Sequence, residues 1–215
     1  MKTKNKIIEA AIRLYNEKGL SNVTSRHIAA DINISHGNLE YHFPNKEALL
    51  LAIYQQMREE VSGFYQDQAN DISNPVEYLH KILVQLEEFQ SKYMFFNLDV
   101  LEISRKYDKV NVLLKDTLQI RKVQIGKLFQ KFVELNYMEP EPAPGYYARL
   151  QHTIRILITF WKSQEAVLTN FDFSRKGEMV KHVWELLIPH FTGKGKAQYQ
   201  SVIENSHNNH LAVKK

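Results

Sequence analysis

The chain contains no cysteine, which excludes disulfides and any cysteine-ligated zinc or iron–sulfur centre. No apolar run approaches the ~20 residues that a membrane-spanning helix needs, so no membrane partner is expected. Met1 is followed by Lys2, Thr3, Lys4 and Asn5, not by the apolar stretch of a secretory signal, and the expectation is a soluble cytoplasmic protein. A Gly-rich phosphate loop, a nucleophile elbow and a cysteine nucleophile are all missing, so no enzyme is expected. Proline is scarce, and three of the six fall together at Pro140, Pro142 and Pro144. No segment alternates apolar and polar residues as a half-buried strand would.

Helical periodicity fills almost the whole of the 215 residues, and a hydrophobic content of 44% suffices for a core. A first helix is predicted from Thr3 to Lys18, with Ile7, Ile8, Ala11, Leu14 and Tyr15 inward. Thr24 caps a second, burying Ile28, Ala29 and Ile32. Ser35 caps a third, burying Leu39 and Phe43, and Pro44 ends it. Asn45 caps a long fourth helix striped by Leu49, Leu50, Ile53, Met57, Val61 and Phe64. A break at Asp71–Pro75 precedes helices over about 76–93, 97–106 and 108–137. The Glu139–Gly145 linker follows, then two strong helices over 146–170 and 174–189. From Thr192 the chain reads as a polar, frayed tail. The fold expected is all-α: a three-helix helix-turn-helix head at 1–50, a larger helical domain at 51–191, and a flexible tail at 192–215.

Three short helices cannot persist alone and must pack together. Once they do, the third presents His36, Gly37, Asn38 and Tyr41 outward. Asn can read adenine through paired hydrogen bonds, His can bond base edges, and a bare Gly37 backbone lets the helix lie close to the groove floor. Arg26 is suited to a guanine or a phosphate. The base candidates are therefore Arg26, His36, Gly37 and Asn38, and the phosphate candidates Ser25, Tyr41, His42 and Lys46. Net charge is only +4, but residues 1–46 hold seven Lys/Arg against four Asp/Glu, a local excess of three. Such an excess alone is usually just a solvated surface. His36 and Glu40 stand four apart, yet two ligands without a third make a poor metal site. His207 and His210 read as tail, and neither metal nor cofactor is expected.

The segment Ile7–Leu50 resembles the N-terminal DNA-binding domain of the TetR family of bacterial regulators. The resemblance is carried by Ala10-Ala11, Leu14-Tyr15, Glu17-x-Gly19, Thr24-Ser25, Ile28-Ala29, Ile34-Ser35-x-Gly37-x-Leu39 and Tyr41-His42-Phe43-x-x-Lys46-x-x-Leu49. Asn33 stands where the family usually has glycine, a substitution that a left-handed turn tolerates. Glu40 is the larger departure, because the family usually has tyrosine there, contacting the DNA backbone, and phosphate repels a carboxylate.

The resemblance implies a homodimer on a near-palindromic operator, with a pocket for a small, partly apolar effector in the larger domain. Phe89, Tyr93, Phe96, Asn97, His152 and Trp161 are pocket candidates, with Asp99 and Arg155 as further polar groups; aromatics at helical spacing are more often plain core. Ile158, Trp161, Val180, Trp184 and Leu187 are candidates for the dimer face, since the last two stripes look wider than one protomer needs. A ligand-responsive repressor is the leading expectation. A helical small-molecule-binding protein whose DNA head has weakened stays open, with Glu40 as its best argument.

Overall fold

The apolar stripes become eleven α-helices among the described residues: α1 (Thr3–Lys18), α2 (Ser25–Asp31), α3 (His36–His42), α4 (Lys46–Gln66), α5 (Pro75–Lys92), α6 (Met94–Leu98), α7 (Val100–Lys106), α8 (Asp108–Glu134), α9 (Tyr146–Val167), α10 (Glu178–Leu187) and α11 (Gly193–Ala212). The structure, a computed structural model, describes residues 3–66, 72–168, 170 and 172–212. Asp71 of the expected break, and the last three residues of the expected tail, lie outside them. One isolated antiparallel bridge joins Met138 and Phe191. Among the described residues no helix is long and apolar enough to cross a membrane.

The chain divides into two compact units, residues 1–63 with 89–119 and residues 64–88 with 120–215. The first has one continuous core. α1 contributes Ile7, Ile8, Ala11, Leu14 and Tyr15, the short helices contribute Ile28, Ala29 and Leu39, and α4 contributes Leu49, Leu50 and Ile53. Tyr93, Phe95, Phe96, Ile103 and Tyr107 complete it. Tyr15 meets Phe95 at 5.2 Å between ring centroids, and Tyr54 stacks on Phe96 at 5.1 Å. Burying an aromatic side chain of this kind is worth roughly 1.5–3 kcal/mol, so α6 is as much a part of this core as α1. The helix expected over 97–106 is in fact two, α6 and α7, meeting at Asp99, whose side chain is engaged elsewhere, as described below.

In the second unit Trp184 is fully buried. Its indole N–H donates to His80 Nδ1 at 3.3 Å, and its ring lies 5.2 Å from that of Tyr199. The segment expected as a frayed tail is therefore α11, with Tyr199 on Trp184 and Val202 buried. Its start is docked on the end of α8: the Thr192 hydroxyl donates to Asn136 O at 2.7 Å, and Lys194 Nζ donates to Leu135 O at 2.8 Å. Gly195 lies so close that a Cβ would stand 2.0 Å from the Tyr137 carbonyl oxygen. Polar composition concealed a helix held by two apolar residues and a close backbone approach.

Candidate DNA-binding surface

α2 and α3 are only seven residues each, and both begin at a side-chain cap. The Thr24 hydroxyl accepts the His27 N–H at 3.3 Å, while His27 Nδ1 accepts the Thr24 N–H at 3.3 Å, a reciprocal box with histidine where glutamate is usual. Ser35 Oγ accepts the Asn38 N–H at 3.1 Å and starts α3. Between the helices Asn33 takes φ +55°, the left-handed conformation that its side chain tolerates, and Ile34 N–H closes on Ala29 O at 3.0 Å. Leu39 and Phe43 are buried, which fixes the face that α3 turns outward.

That face carries most of the residues expected on it. Tyr41 is 86% exposed and stands edge-on to His42 at 5.3 Å. A Cβ added at Gly37 would meet nothing within 4 Å, so its backbone is open to an approaching surface. Asn38 and Arg26 are exposed, and Ser25, His36 and His42 are half-buried. Glu40 is exposed and lies 3.6 Å from His36 Nδ1.

Lys46, expected at a phosphate, turns inward instead. Its ammonium donates to the carbonyls of Leu20 and Val23, the latter at 2.9 Å, and lies 5.4 Å from the Tyr15 ring centroid. These carbonyls belong to the α1–α2 turn and have no helical donor, which is why a cation is drawn to them. Burial is the main cause holding the Lys46 pKa below its ordinary value; Lys106 adds to it, and Glu102 and Asp99 oppose it.

The head is also tied to the chain that follows α5. Leu20 N–H donates to Asp99, Ser21 Oγ to Glu102, and Lys109 N–H to Glu47. Asn16 donates to Lys92 O and accepts the Phe95 N–H. Arg13 bridges Glu17 and Asp31, joining α1 to the end of α2. None of these partners was expected from the sequence. The one available signal was the acidic pair Asp99 and Glu102, set against a head of net positive charge.

The pocket candidates separate between the two units. In the first, Tyr93 is fully buried, its hydroxyl donating to Glu60 at 2.9 Å and accepting from Gln56 at 3.2 Å. Phe89 packs on Tyr93 at 4.8 Å, Phe96 stacks on Tyr54, and Asn97 is half-buried. In the second unit His152 is exposed and paired with Arg155 at 2.7 Å, while Trp161 is buried and donates to Glu165 at 3.0 Å. Asp99, a further polar candidate, is occupied by the Leu20 amide.

The residues expected at the dimer face lie mostly inside the protomer. Val180, Trp184 and Leu187 are buried in the core of their own unit, as is Trp161, so these stripes are wide because they pack within the protomer; Ile158 is half-buried. What α9 leaves exposed is a different set, Ile156, Phe160 and Val167. Among the described residues no group of three metal-ligating side chains comes together.

Two short capped helices around a left-handed turn, with a bare glycine and polar side chains on the outer face of the second, define a helix-turn-helix DNA-binding regulator. Residues 7–53 match the family model described as bacterial regulatory proteins of the tetR family, and residues 54–199 match the TetR model described as a bacterial transcriptional repressor. The chain belongs to the TetR family. It is similar to the nucleoid occlusion factor SlmA of Haemophilus ducreyi, with 24% identity over 86% of this chain and 90% of that one. It is also similar to IcaR of Staphylococcus epidermidis, the negative regulator of the icaADBC biofilm operon, with 30% identity over 40% of this chain and 48% of that one. The fold resembles that of a TetR-family regulator from Marinobacter aquaeolei, with TM-score 0.84, 23% identity, and coverage of 95% and 98%. It also resembles the ketosteroid transcriptional regulator KstR2 of Mycobacterium tuberculosis, with TM-score 0.70, 16% identity, and coverage of 89% and 96%.

Proposed function

We propose that this regulator is a cytoplasmic, homodimeric repressor, non-enzymatic, that reads a near-palindromic operator with α3 of each protomer. Binding of a small, partly apolar effector would release it. The carrying observation is the outer face of α3, where an unobstructed Gly37 backbone lies beside an 86% exposed Tyr41. Arg26, His36, Gly37 and Asn38 are assigned to base edges, and Ser25, Tyr41 and His42 to phosphates. Lys46 leaves the phosphate set, because its ammonium is occupied by two carbonyls. Ile156, Phe160 and Val167, spaced along one face of α9, supply an apolar stripe for the symmetry mate. Coupling between sites is reciprocal: an effector that weakens operator binding tenfold, about 1.4 kcal/mol, binds tenfold more weakly to the DNA-bound dimer.

Selection of bound fragments from the source genome, followed by a salt titration on the winners, tests this. A palindromic consensus whose affinity falls steeply with salt is expected. Failure to select any sequence at low salt overturns the reading. The likeness to a nucleoid occlusion factor favours a second reading, in which the DNA-bound chain serves nucleoid occlusion and needs no small ligand. Sites scattered along the chromosome would favour that second reading, and sites confined to a few promoters the first.

A further inference from the structure

Glu40 is the residue of α3 that a phosphate-contacting surface does not explain. At about 100° per residue, Gly37 and Tyr41 mark the centre of the outward face, and Asn38 and Glu40 lie about 80° to either side of it. Leu39 and Phe43, buried, confirm which way the helix faces. Asn38 and Glu40 thus flank Gly37 on the outward side, one to each side, where a helix laid in a major groove brings side chains over neighbouring base edges.

The carboxylate is also available. Its side chain is 52% exposed, and the ionisable group beside it, His36 Nδ1, lies at 3.6 Å, beyond hydrogen-bond length. Three other acidic groups of the head are engaged, Asp31 and Glu17 with Arg13, and Glu47 with the Lys109 N–H. Glu40 keeps its acceptor oxygens for a partner outside the protein.

An ionised carboxylate only accepts hydrogen bonds. DNA phosphates offer no donor and repel it. In the major groove, donors come from the exocyclic amines of cytosine and adenine. Adenine sets the N7 acceptor beside its amine, which opposes a carboxylate, whereas cytosine presents its N4 amine without an acceptor of its own on that edge. We propose that Glu40 is a specificity-determining residue of the recognition helix, accepting a hydrogen bond from the N4 amine of a cytosine in each half-site. This assignment rests on the operator-binding reading above. It makes Glu40 selective by rejection as well as by attraction, since its charge penalises every site that lacks the amine.

The test compares full-length wild type with Glu40→Ala and Glu40→Gln, first by selection from a randomised duplex library and then by titration of single-position variants of the selected site. Because Glu40 is exposed, the variants should melt as the wild type does, and this is checked by circular dichroism. Wild type is expected to require cytosine at one symmetry-related position, with roughly 5- to 150-fold loss on replacing it. Glu40→Ala should reduce that preference to within about twofold, leave the other positions unchanged, and bind non-specific DNA more tightly. Glu40→Gln should transfer the preference to adenine, whose N6 and N7 match an amide. If Glu40→Ala instead tightens every sequence equally and leaves the consensus unchanged, Glu40 only repels phosphate and the proposal is overturned. If wild type selects nothing, the operator-binding reading fails, and the proposal with it.

Discussion

Asp99 accepts the backbone N–H of Leu20 at 3.0 Å, joining residues 79 positions apart. The bond anchors the turn between α1 and α2 to the junction of α6 and α7. Replacement by alanine leaves a part-buried amide without its acceptor, at a cost of about 1–3 kcal/mol. Urea unfolding should show a lower midpoint for Asp99→Ala with an unchanged m-value; an unaltered midpoint would mean that water replaces the carboxylate at no cost.

Lys46 separates two roles that a single position can serve. Lys46→Met keeps the apolar stem but takes the ammonium from the Val23 carbonyl and leaves Leu20 O with only the long Val23 N–H bond at 3.4 Å, so stability should fall by about 1–3 kcal/mol. The salt dependence of operator binding should stay as in wild type, because no phosphate contact is lost. A salt slope reduced by about one would instead place the ammonium on DNA.

Two glycines should respond to alanine with opposite signs. At Gly195 the new Cβ meets the Tyr137 carbonyl, and overpacking there should cost about 1–3 kcal/mol. At Gly37 nothing obstructs it, and removing a helical glycine should raise stability by roughly 0.5–1 kcal/mol. Thermal melts read both effects. Operator affinity should nonetheless fall for Gly37→Ala, since the helix can no longer lie as close to the groove floor.

The exposed and buried apolar residues of the C-terminal helices should also part company. Phe160→Asp should shift the protein from dimer to monomer in sedimentation while the fold persists. Trp184→Ala should destabilise the protomer by about 3–5 kcal/mol, because the indole is fully buried. A Phe160→Asp protein that still sediments as a dimer would remove α9 from the interface.

Alkaline pH should loosen the fold. Burial pushes Tyr65 up to about 12, against an opposing effect of Arg121, and raises Tyr15 as well. A raised pKa in the folded state means that the unfolded chain sheds its protons first, near the ordinary phenol value of 10. The unfolded state then binds fewer protons, and stability falls as pH rises from about 10 towards 12. Urea midpoints measured across that interval should decline; a flat profile would show the phenols ionising within the folded protein.

The head was largely legible because its information is local. Thr24, Ser35 and Asn45 each announce a helix start through a side chain acting three residues away. Leu39 and Phe43 set the facing of α3 by spacing alone. Lys46 was not legible in the same way: its position on a helix does not reveal that two carbonyls from a distant turn lie in reach. Trp184 shows a second limit, since a wide apolar stripe is compatible with a partner protomer or with one's own α11. Asp99 shows a third, as its carboxylate is committed to an amide 79 residues back along the chain.

The bonds from Asn16, Leu20, Ser21 and Glu47 to residues between 92 and 109 bear on how portable the DNA-reading part is. A chimera grafted at residue 50 would move one half of each bond and abandon the other. The compact unit that keeps both halves of these bonds together is the discontinuous pair of segments 1–63 and 89–119. Exchange of operator preference between such regulators is therefore better attempted by rewriting the outer face of α3, where Asn38 and Glu40 stand, than by moving the head as a block.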